Sequence, residues 1–348
     1  MGQFPGLGGA LAELVVILLC GAAPIGIMQM LVPRLELTAP RVSNYRGRKV
    51  FLGLGIVWTL WMVFLLTAEC ILQLAFDEVP TWLSLITRAA PLVIGACALG
   101  MLDDLLGSSD TSKGFHGHFS ALRRGQITTG MVKFIGIGAL SFCSAVEISG
   151  QLSATLSSAG EVLVKAAVIA LCANELNLFD LRPARALKVY LGALVLSASV
   201  LMFVVGTING ALSVAMIALV SVVPVVAIWP YDAGERGMMG DSGSNAMGAF
   251  LGYFLCCTMS LRALCVVAVV LLAMNLASER VSYSRLIERS PLLSWIDALG
   301  RPRDEGGRAA MGNVDADATG CTVPAADAED ENPRENGGDR AREDSHDG

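Results

Sequence analysis

The sequence predicts an all-α polytopic membrane protein with about nine transmembrane helices, an N-terminus outside the cell and a cytoplasmic C-terminus. Two observations carry the prediction. The 348 residues are 54% hydrophobic and only 16% charged, with a mean hydropathy of +0.59, whereas soluble domains are about a quarter charged. Apolar runs of the length that crosses a bilayer as a helix, about 20 residues, also recur along the chain. This composition argues against a cytosolic enzyme and against a nucleic-acid partner.

The predicted spans follow one another with short connections. They lie near residues 8–33, 50–75, 81–102, 129–148, 161–178, 187–206, 211–229, 243–259 and 261–278. No basic segment precedes the first run and no convincing cleavage site follows it, so we expect a retained helix rather than a signal peptide. Eight of the nine cysteines fall in or beside these runs without CxxC or Cys–His spacing, which predicts neither a disulfide framework nor a zinc site.

Basic residues are confined to alternate connections, which sets the orientation. One set of connections holds Arg34, Arg41, Arg46, Arg48, Lys49, Lys113, Arg123, Arg124, Arg182, Arg185, Lys188, Arg236, Arg280, Arg285, Arg289, Arg301 and Arg303. The other set holds only Arg262, at an edge. Because cytoplasmic loops are enriched in Lys and Arg, the basic connections are predicted to face the cytoplasm. One missed span would mix the two sets, so the asymmetry also supports the count of nine.

The chain divides into three predicted parts. Residues 1–280 form the transmembrane domain. Residues 281–303 mix leucine, isoleucine and tryptophan with charged residues around Pro291, which predicts one or two short amphipathic pieces on the inner leaflet. Residues 304–348 contain 13 Asp and Glu against 4 Lys and Arg, without aromatic residues, which predicts a disordered acidic tail.

Polar residues at the predicted cytoplasmic ends of three spans mark the candidate site. Ionisable residues near membrane depth are costly, so their positions are informative. The three groups are Asp103 and Asp104 at the end of the third span, Asn174, Asn177 and Asp180 at the end of the fifth, and Asp241 at the start of the eighth. One shared site explains why groups so distant in sequence fall on the same side of the membrane.

The spacing within each group gives its candidate chemistry. Asn174, Asn177 and Asp180 are three residues apart and form one slanting helical stripe, for which interhelical hydrogen bonding is as good an interpretation as a binding site. Asp103 and Asp104 are about 100° apart on a helix. One of them could therefore serve a metal or a lipid phosphate while the other orients a neighbour, although paired acids also commonly mark a helix end.

Asp241 lies between Gly240 and Gly243, directly before an apolar run. A carboxylate beside the amides of a helix N-terminus suits Mg²⁺ and phosphate together, and a plain N-cap is the simpler alternative. Cationic donors for pyrophosphate oxygens are predicted nearby: Lys113 and His116 in the connection 105–128, and Lys133 one turn into the fourth span. For His116 an ordinary position in an interfacial loop, without a binding role, is the better supported interpretation.

Together these three motifs resemble, in order and topological position, the polyprenyl-phosphate N-acetylhexosamine-1-phosphate transferases, over roughly residues 8–280. That family includes phospho-N-acetylmuramoyl-pentapeptide transferase and UDP-GlcNAc:undecaprenyl-phosphate GlcNAc-1-phosphate transferases. The resemblance implies a multi-pass enzyme of the bacterial plasma membrane in cell-wall or surface-glycan synthesis. It implies transfer of a sugar-1-phosphate from a UDP-sugar to polyprenyl (undecaprenyl) phosphate, with release of UMP.

The resemblance also implies roles for individual residues. Asp241 would be a ligand of Mg²⁺, or of Mn²⁺ in its place, with Asp180 as a second ligand. Asp103 or Asp104 would handle the polyprenyl phosphate, and Asn177 and Asp180 would line the nucleotide pocket. The chain departs from the family where Asp180 is followed by Leu-Arg-Pro-Ala-Arg instead of a second Asp-Gly pair, and where a His-rich motif is absent after the Gly-Asp turn. The sugar is therefore open.

Two other functions remain as alternatives. An ion-coupled secondary transporter would use intramembrane acids near the bilayer midplane, between broken helices in matching halves. A non-catalytic relative would act as a membrane scaffold that recruits a partner through the acidic tail. The apolar spans also offer faces for a homodimer, but no sustained GxxxG pattern selects one of them.

Overall fold

A computed structural model describes residues 7–76, 79–107, 123–125, 128–150, 156–205 and 208–301. It confirms the predicted all-α polytopic architecture, since the described residues contain eight helical segments long and apolar enough to cross a membrane. The helices are α1 (Leu7–Thr38), α2 (Ile56–Phe76), α3 (Thr81–Thr87), α4 (Ala90–Leu106), α5 (Thr129–Ile148), α6 (Leu156–Phe179), α7 (Arg185–Val205), α8 (Ile208–Asp232), α9 (Gly240–Thr258), α10 (Leu261–Ser278), α11 (Tyr283–Arg289) and α12 (Pro291–Ala298). The predicted tail 304–348 lies outside the described residues.

The predicted third span is divided into two helices. α3 ends at Thr87, and α4 begins at Ala90 with Pro91 in its first turn. Proline has a backbone angle suited to the start of a helix and has no N–H to satisfy there, so the chain restarts at this point. Arg88 lies at the break, with Nη1 3.7 Å from Glu147 Oε1 of α5. This end of the bundle is opposite to the candidate site.

The run predicted as the eighth span forms the central helix of the bundle. α9 is buried along most of its length and packs against α4 and α6. It does not count among the eight apolar segments, because its first half is rich in Gly, Ser and Asn. A Cβ at Gly248 would lie 2.4 Å from the Cys172 carbonyl oxygen of α6, and one at Gly252 would lie 2.6 Å from Ile169 Cα. This Gly-x-x-x-Gly pair therefore lets two backbones meet within one chain.

A small sheet, which the sequence did not predict, joins the connection after α1 to the start of α9. β1 (Arg41–Ser43) pairs antiparallel with β2 (Lys49–Leu52), and β2 pairs parallel with β3 (Gly237–Met238). The buried carboxylate of Glu235 fastens the hairpin: it accepts hydrogen bonds from Asn44 Nδ2 and Tyr45 Oη, each at 3.2 Å, and Arg46 Nε lies 3.3 Å away. The basic hairpin is thereby held beside the turn that leads into α9.

The amphipathic segment forms two short helices that separate at the predicted position. α11 ends at Arg289, and α12 begins at Pro291. Asp297 fastens α12 to the start of α7: Arg185 donates from Nε to Oδ1 at 2.8 Å and from Nη2 to Oδ2 at 2.9 Å. Arg301 Nη2 lies 2.7 Å from Oδ1 of the same carboxylate. Burial alone would raise the pKa of Asp297, but the hydrogen bonds and charges of these two arginines outweigh it and lower that pKa.

The lowered pKa predicts a pH-dependent contribution of this ion pair to stability. The contribution is complete above the ordinary aspartate pKa of about 4 and is lost as the pH falls through the lower, native-state value. We expect Asp297→Asn to cost about 3 kcal/mol near pH 7, as for other buried pairs that lose one partner. Thermal unfolding of both proteins in detergent between pH 8 and pH 3 measures the difference. A gap in unfolding free energy that stays constant to pH 3 would contradict this assignment.

Candidate functional site

Two acids and a lysine from three helices meet at one end of the bundle. Asp103 lies in the last turns of α4, Lys133 near the start of α5, and Asp241 in the first turn of α9. Lys133 Nζ is 2.7 Å from Asp103 Oδ2 and forms a second ion pair with the Asp241 carboxylate. Thr129, one helical turn before Lys133, donates to Asp103 Oδ1 at 2.5 Å. The structure thus brings Lys133 to the predicted acids and holds it between two of them.

Asp104 contacts different groups from Asp103, as expected for side chains about 100° apart. Its two oxygens accept hydrogen bonds from the backbone amides of Asp241 at 2.9 Å and Ser242 at 3.0 Å. The carboxylate therefore satisfies the first amides of α9, which our sequence interpretation assigned to a phosphate. Gly240 permits this close approach, because its φ is +70° and a Cβ there would lie 2.7 Å from Asp104 Oδ2.

The end of α6 supplies Asn177 and Asp180. Asn177 Nδ2 donates to Asn245 Oδ1 at 3.4 Å, and Asn245 Nδ2 donates to the Asp241 carbonyl oxygen at 2.7 Å. Asp180 follows the last residue of α6 and is partly buried. Its burial, and then the negative charges of Asp232, Asp241 and Asp104, raise its pKa well above the ordinary value. The charges of Asp232, Asp241 and Asp104 therefore act on Asp180.

Asp232 is a residue of this region that the sequence interpretation missed. It is the last residue of α8 and is buried. One carboxylate oxygen accepts a hydrogen bond from the Ala184 amide at 2.6 Å, and the other accepts from the Met239 amide at 3.3 Å. It thereby ties the segment after Asp180 to the turn before α9. Its position, an acid at the end of an apolar run that is predicted to be cytoplasmic, is the same signal that marked the predicted acids.

Asn174 does not reach the acids. It forms a hydrogen bond with Asn275 of α10, and Asn275 Nδ2 donates to the buried carboxylate of Glu175 at 2.7 Å. Asn174 therefore makes an interhelical hydrogen bond, one of the two interpretations of the stripe, and substrate binding by this residue stays a prediction. Lys113 and His116, also predicted to bind substrate, lie outside the described residues.

The carboxylates at this site determine whether a metal ion could bind there. Within the described part of the chain, no group of three or more His, Cys, Asp or Glu side chains could hold a metal ion. Mg²⁺ commonly takes only one or two carboxylates and completes its shell with waters and substrate phosphates. Asp241 and Asp180 supply carboxylate oxygens, the donor type of that requirement, and a divalent cation would offset the negative charges that, after burial, raise the pKa of Asp180.

No protein-family model matches the chain, and no curated protein is significantly similar to it.

Proposed function

We propose that the protein transfers a sugar-1-phosphate, of the N-acetylhexosamine class, from a UDP-sugar to polyprenyl phosphate at the cytoplasmic face of the membrane. One observation carries the proposal: Asp103, Asp104, Asp241 and Lys133 converge at one end of the bundle, with Asp180 in their electrostatic field. That end carries the basic connections, so it is the end assigned to the cytoplasm. A lipid phosphate at the inner leaflet and a soluble nucleotide sugar would meet there.

The proposed reaction is a displacement at phosphorus. An oxygen of the lipid phosphate bonds to the β-phosphorus of the UDP-sugar, the bond from that phosphorus to the oxygen bridging the α-phosphate breaks, and UMP leaves with that oxygen. The attacking phosphate is already anionic near pH 7, so neither a general base nor a covalent intermediate is required. In phosphoryl transfer the protein mainly positions the reactants and neutralises charge.

In this proposal each side chain has a part in that task that its contacts support. Asp241 and Asp180 would hold Mg²⁺, which when bound neutralises oxygens of the pyrophosphate. Lys133 supplies a positive charge for the phosphate oxygens in the transition state, and its ion pair with Asp103 holds its ammonium group beside Asp241. Asp104 acts on the reaction through the backbone, since it fixes the first turn of α9 and with it Asp241.

The test is release of UMP by the full chain purified in detergent. We expect UMP from Mg²⁺, undecaprenyl phosphate and at least one donor of a UDP-N-acetylhexosamine panel, and none when the lipid phosphate is left out or Mg²⁺ is chelated. A chain deleted of residues 304–348 should keep the full rate, which separates catalysis from a scaffold that acts through its tail. If every donor fails with the intact chain, the transferase proposal is wrong.

The location of the acids favours a transferase over the transporter. Asp103, Asp104, Asp180 and Asp241 belong to helix ends on one side of the bundle, whereas a transport site lies near the bilayer midplane. Arg88 and Glu147 lie together at the opposite end. A reaction between a membrane lipid and a cytoplasmic nucleotide needs a site at the ends of the helices. A transporter with alternating access needs its site near the middle of the bilayer instead.

A further inference from the structure

Among the described residues, the apolar side of α12 is largely exposed. Leu292, Trp295 and Leu299 have exposed fractions of 65%, 62% and 43%. At 100° per residue Leu292 and Trp295 span an arc of about 60° on α12, and Asp297 lies about 140° from Leu292; Leu299 directly follows the helix. Asp297 is held against Arg185, so the apolar arc faces away from the protein. Such a helix is built to cover its apolar side with something else.

The contacts of this segment place it at the level where the helices leave the membrane. α11 follows the end of α10 after four residues. Lys188, in the first turn of α7, donates to the carbonyl oxygens of Ile296 at 3.0 Å and Asp297 at 2.6 Å. Gly300 lies against the Trp229 ring in the last turn of α8. The outward apolar arc therefore lies level with the ends of α7, α8 and α10, the level at which spanning helices reach the lipid headgroups.

The same segment carries exposed positive charge. Arg280, Arg285 and Arg289 are exposed, and no ion pair with a described residue involves them. Arg285 and Arg289 are four residues apart and share one side of α11. Basic residues beside an apolar arc at this level match the phosphate groups of an anionic leaflet.

We infer that α11 and α12 form an anionic-phospholipid binding surface, with Arg280, Arg285 and Arg289 on the headgroup phosphates and the arc of Leu292, Trp295 and Leu299 in the acyl region. The inference does not depend on the proposed transferase activity. It gives the bundle a lipid contact separate from the acidic site, made by the segment that follows its last spanning helix.

This surface is also joined to the segment that carries Asp180. Arg182 donates to Glu288 of α11 at 2.9 Å, and Arg301 Nε donates to the Pro183 carbonyl oxygen at 3.0 Å. Arg185 completes the connection through Asp297. Lipid bound to α11 and α12 therefore stabilises residues 180–185 in the arrangement that the structure shows, since any ligand that binds one arrangement favours it.

Quenching of Trp295 fluorescence by brominated lipids tests the inference on the full chain. The chain is placed in phosphatidylcholine vesicles that contain an equal small fraction of brominated phosphatidylglycerol or of brominated phosphatidylcholine. The difference between the parent protein and Trp295→Phe gives the Trp295 signal. We expect brominated phosphatidylglycerol to quench this signal at least about twofold more than brominated phosphatidylcholine, because the anionic lipid is enriched at the surface.

Charge variants assign the preference to the three arginines. Arg280→Gln/Arg285→Gln/Arg289→Gln should make the two lipids quench equally, while Arg262→Gln, at the start of α10 on the opposite side, should leave the preference unchanged. These residues are exposed, so the variants should keep the parent's melting temperature. Equal quenching in the parent would overturn the anionic-lipid assignment. Absence of quenching by either lipid would overturn the membrane contact and leave the arc to a protein partner.

Discussion

Asp241→Asn is expected to lower the rate of UMP release by at least about 10²-fold, the scale on which single charge-stabilising groups act in enzymes. The substitution removes the charge that pairs with Lys133 and that would hold Mg²⁺, and it preserves the size of the side chain. The fold around it should persist, because Asn245 bonds the Asp241 carbonyl oxygen and Asp104 bonds its amide, and neither contact uses the carboxylate. The measurement is UMP release at saturating Mg²⁺ and donor.

Glu161→Gln is the matched control for this prediction. It removes one carboxylate charge from an ion pair with Lys165, on α6 but at the end of the bundle opposite to the site. We expect its rate to equal that of the parent protein. A rate for Asp241→Asn within about twofold of the parent, in protein with the parent's melting temperature, would show that Asp241 has no part in catalysis and that the metal ligands lie elsewhere.

Gly248→Ala is expected to destabilise the protein by forcing two helix backbones apart. The added Cβ would lie 2.4 Å from the Cys172 carbonyl oxygen and 2.6 Å from Ala173 Cα, and both are backbone atoms that cannot move aside as a side chain can. α9 and α6 would have to separate, which typically costs about 1–3 kcal/mol for overpacking in a tight core. Because α9 carries Asp241 and α6 leads to Asp180, activity should fall together with the unfolding free energy.

Gly138→Ala provides the comparison, since a Cβ at that position of α5 meets no atom within 4 Å. Thermal unfolding of the two variants in the same detergent measures the difference. We expect Gly138→Ala to match or exceed the parent's stability, because alanine is the better helix former, and Gly248→Ala to unfold at a clearly lower temperature. Equal midpoints for the two variants would mean that α9 and α6 are not packed as closely as described.

The overall architecture was predictable because it depends on the hydropathy of residues that are close together in the sequence. An apolar run of about 20 residues must form a helix in lipid to satisfy its backbone, whatever surrounds it. The break before Pro291 was also predictable, because a proline lacks the backbone N–H that a helix interior needs. The central position of α9 was not evident from hydropathy, because its glycines and serines lower that value while enabling the close packing that buries it.

The acids of the candidate site were found from sequence because membrane depth makes every ionisable residue informative. Their individual contacts were not predictable. Spacing along α6 placed Asn174, Asn177 and Asp180 on one stripe, but the stripe faces α10 at one end and α9 at the other, so Asn174 bonds Asn275 while Asn177 bonds Asn245. In the same way, only the packing of α4 against α9 assigns Asp104 to the helix amides and Asp103 to Lys133.

The sequence by itself therefore determined the membrane-spanning helical class, the amphipathic segment after α10 and the set of acids from which a site could be built. Only the tertiary structure decided that Asp103 and Asp241 both pair with Lys133. It also decided that Asp232 connects two of the segments that carry the acids, and that Glu235 holds a basic hairpin beside them. The physical reason is that periodicity fixes the direction of a side chain on its own helix. The choice of neighbouring helix depends on side-chain packing between segments that are distant in sequence.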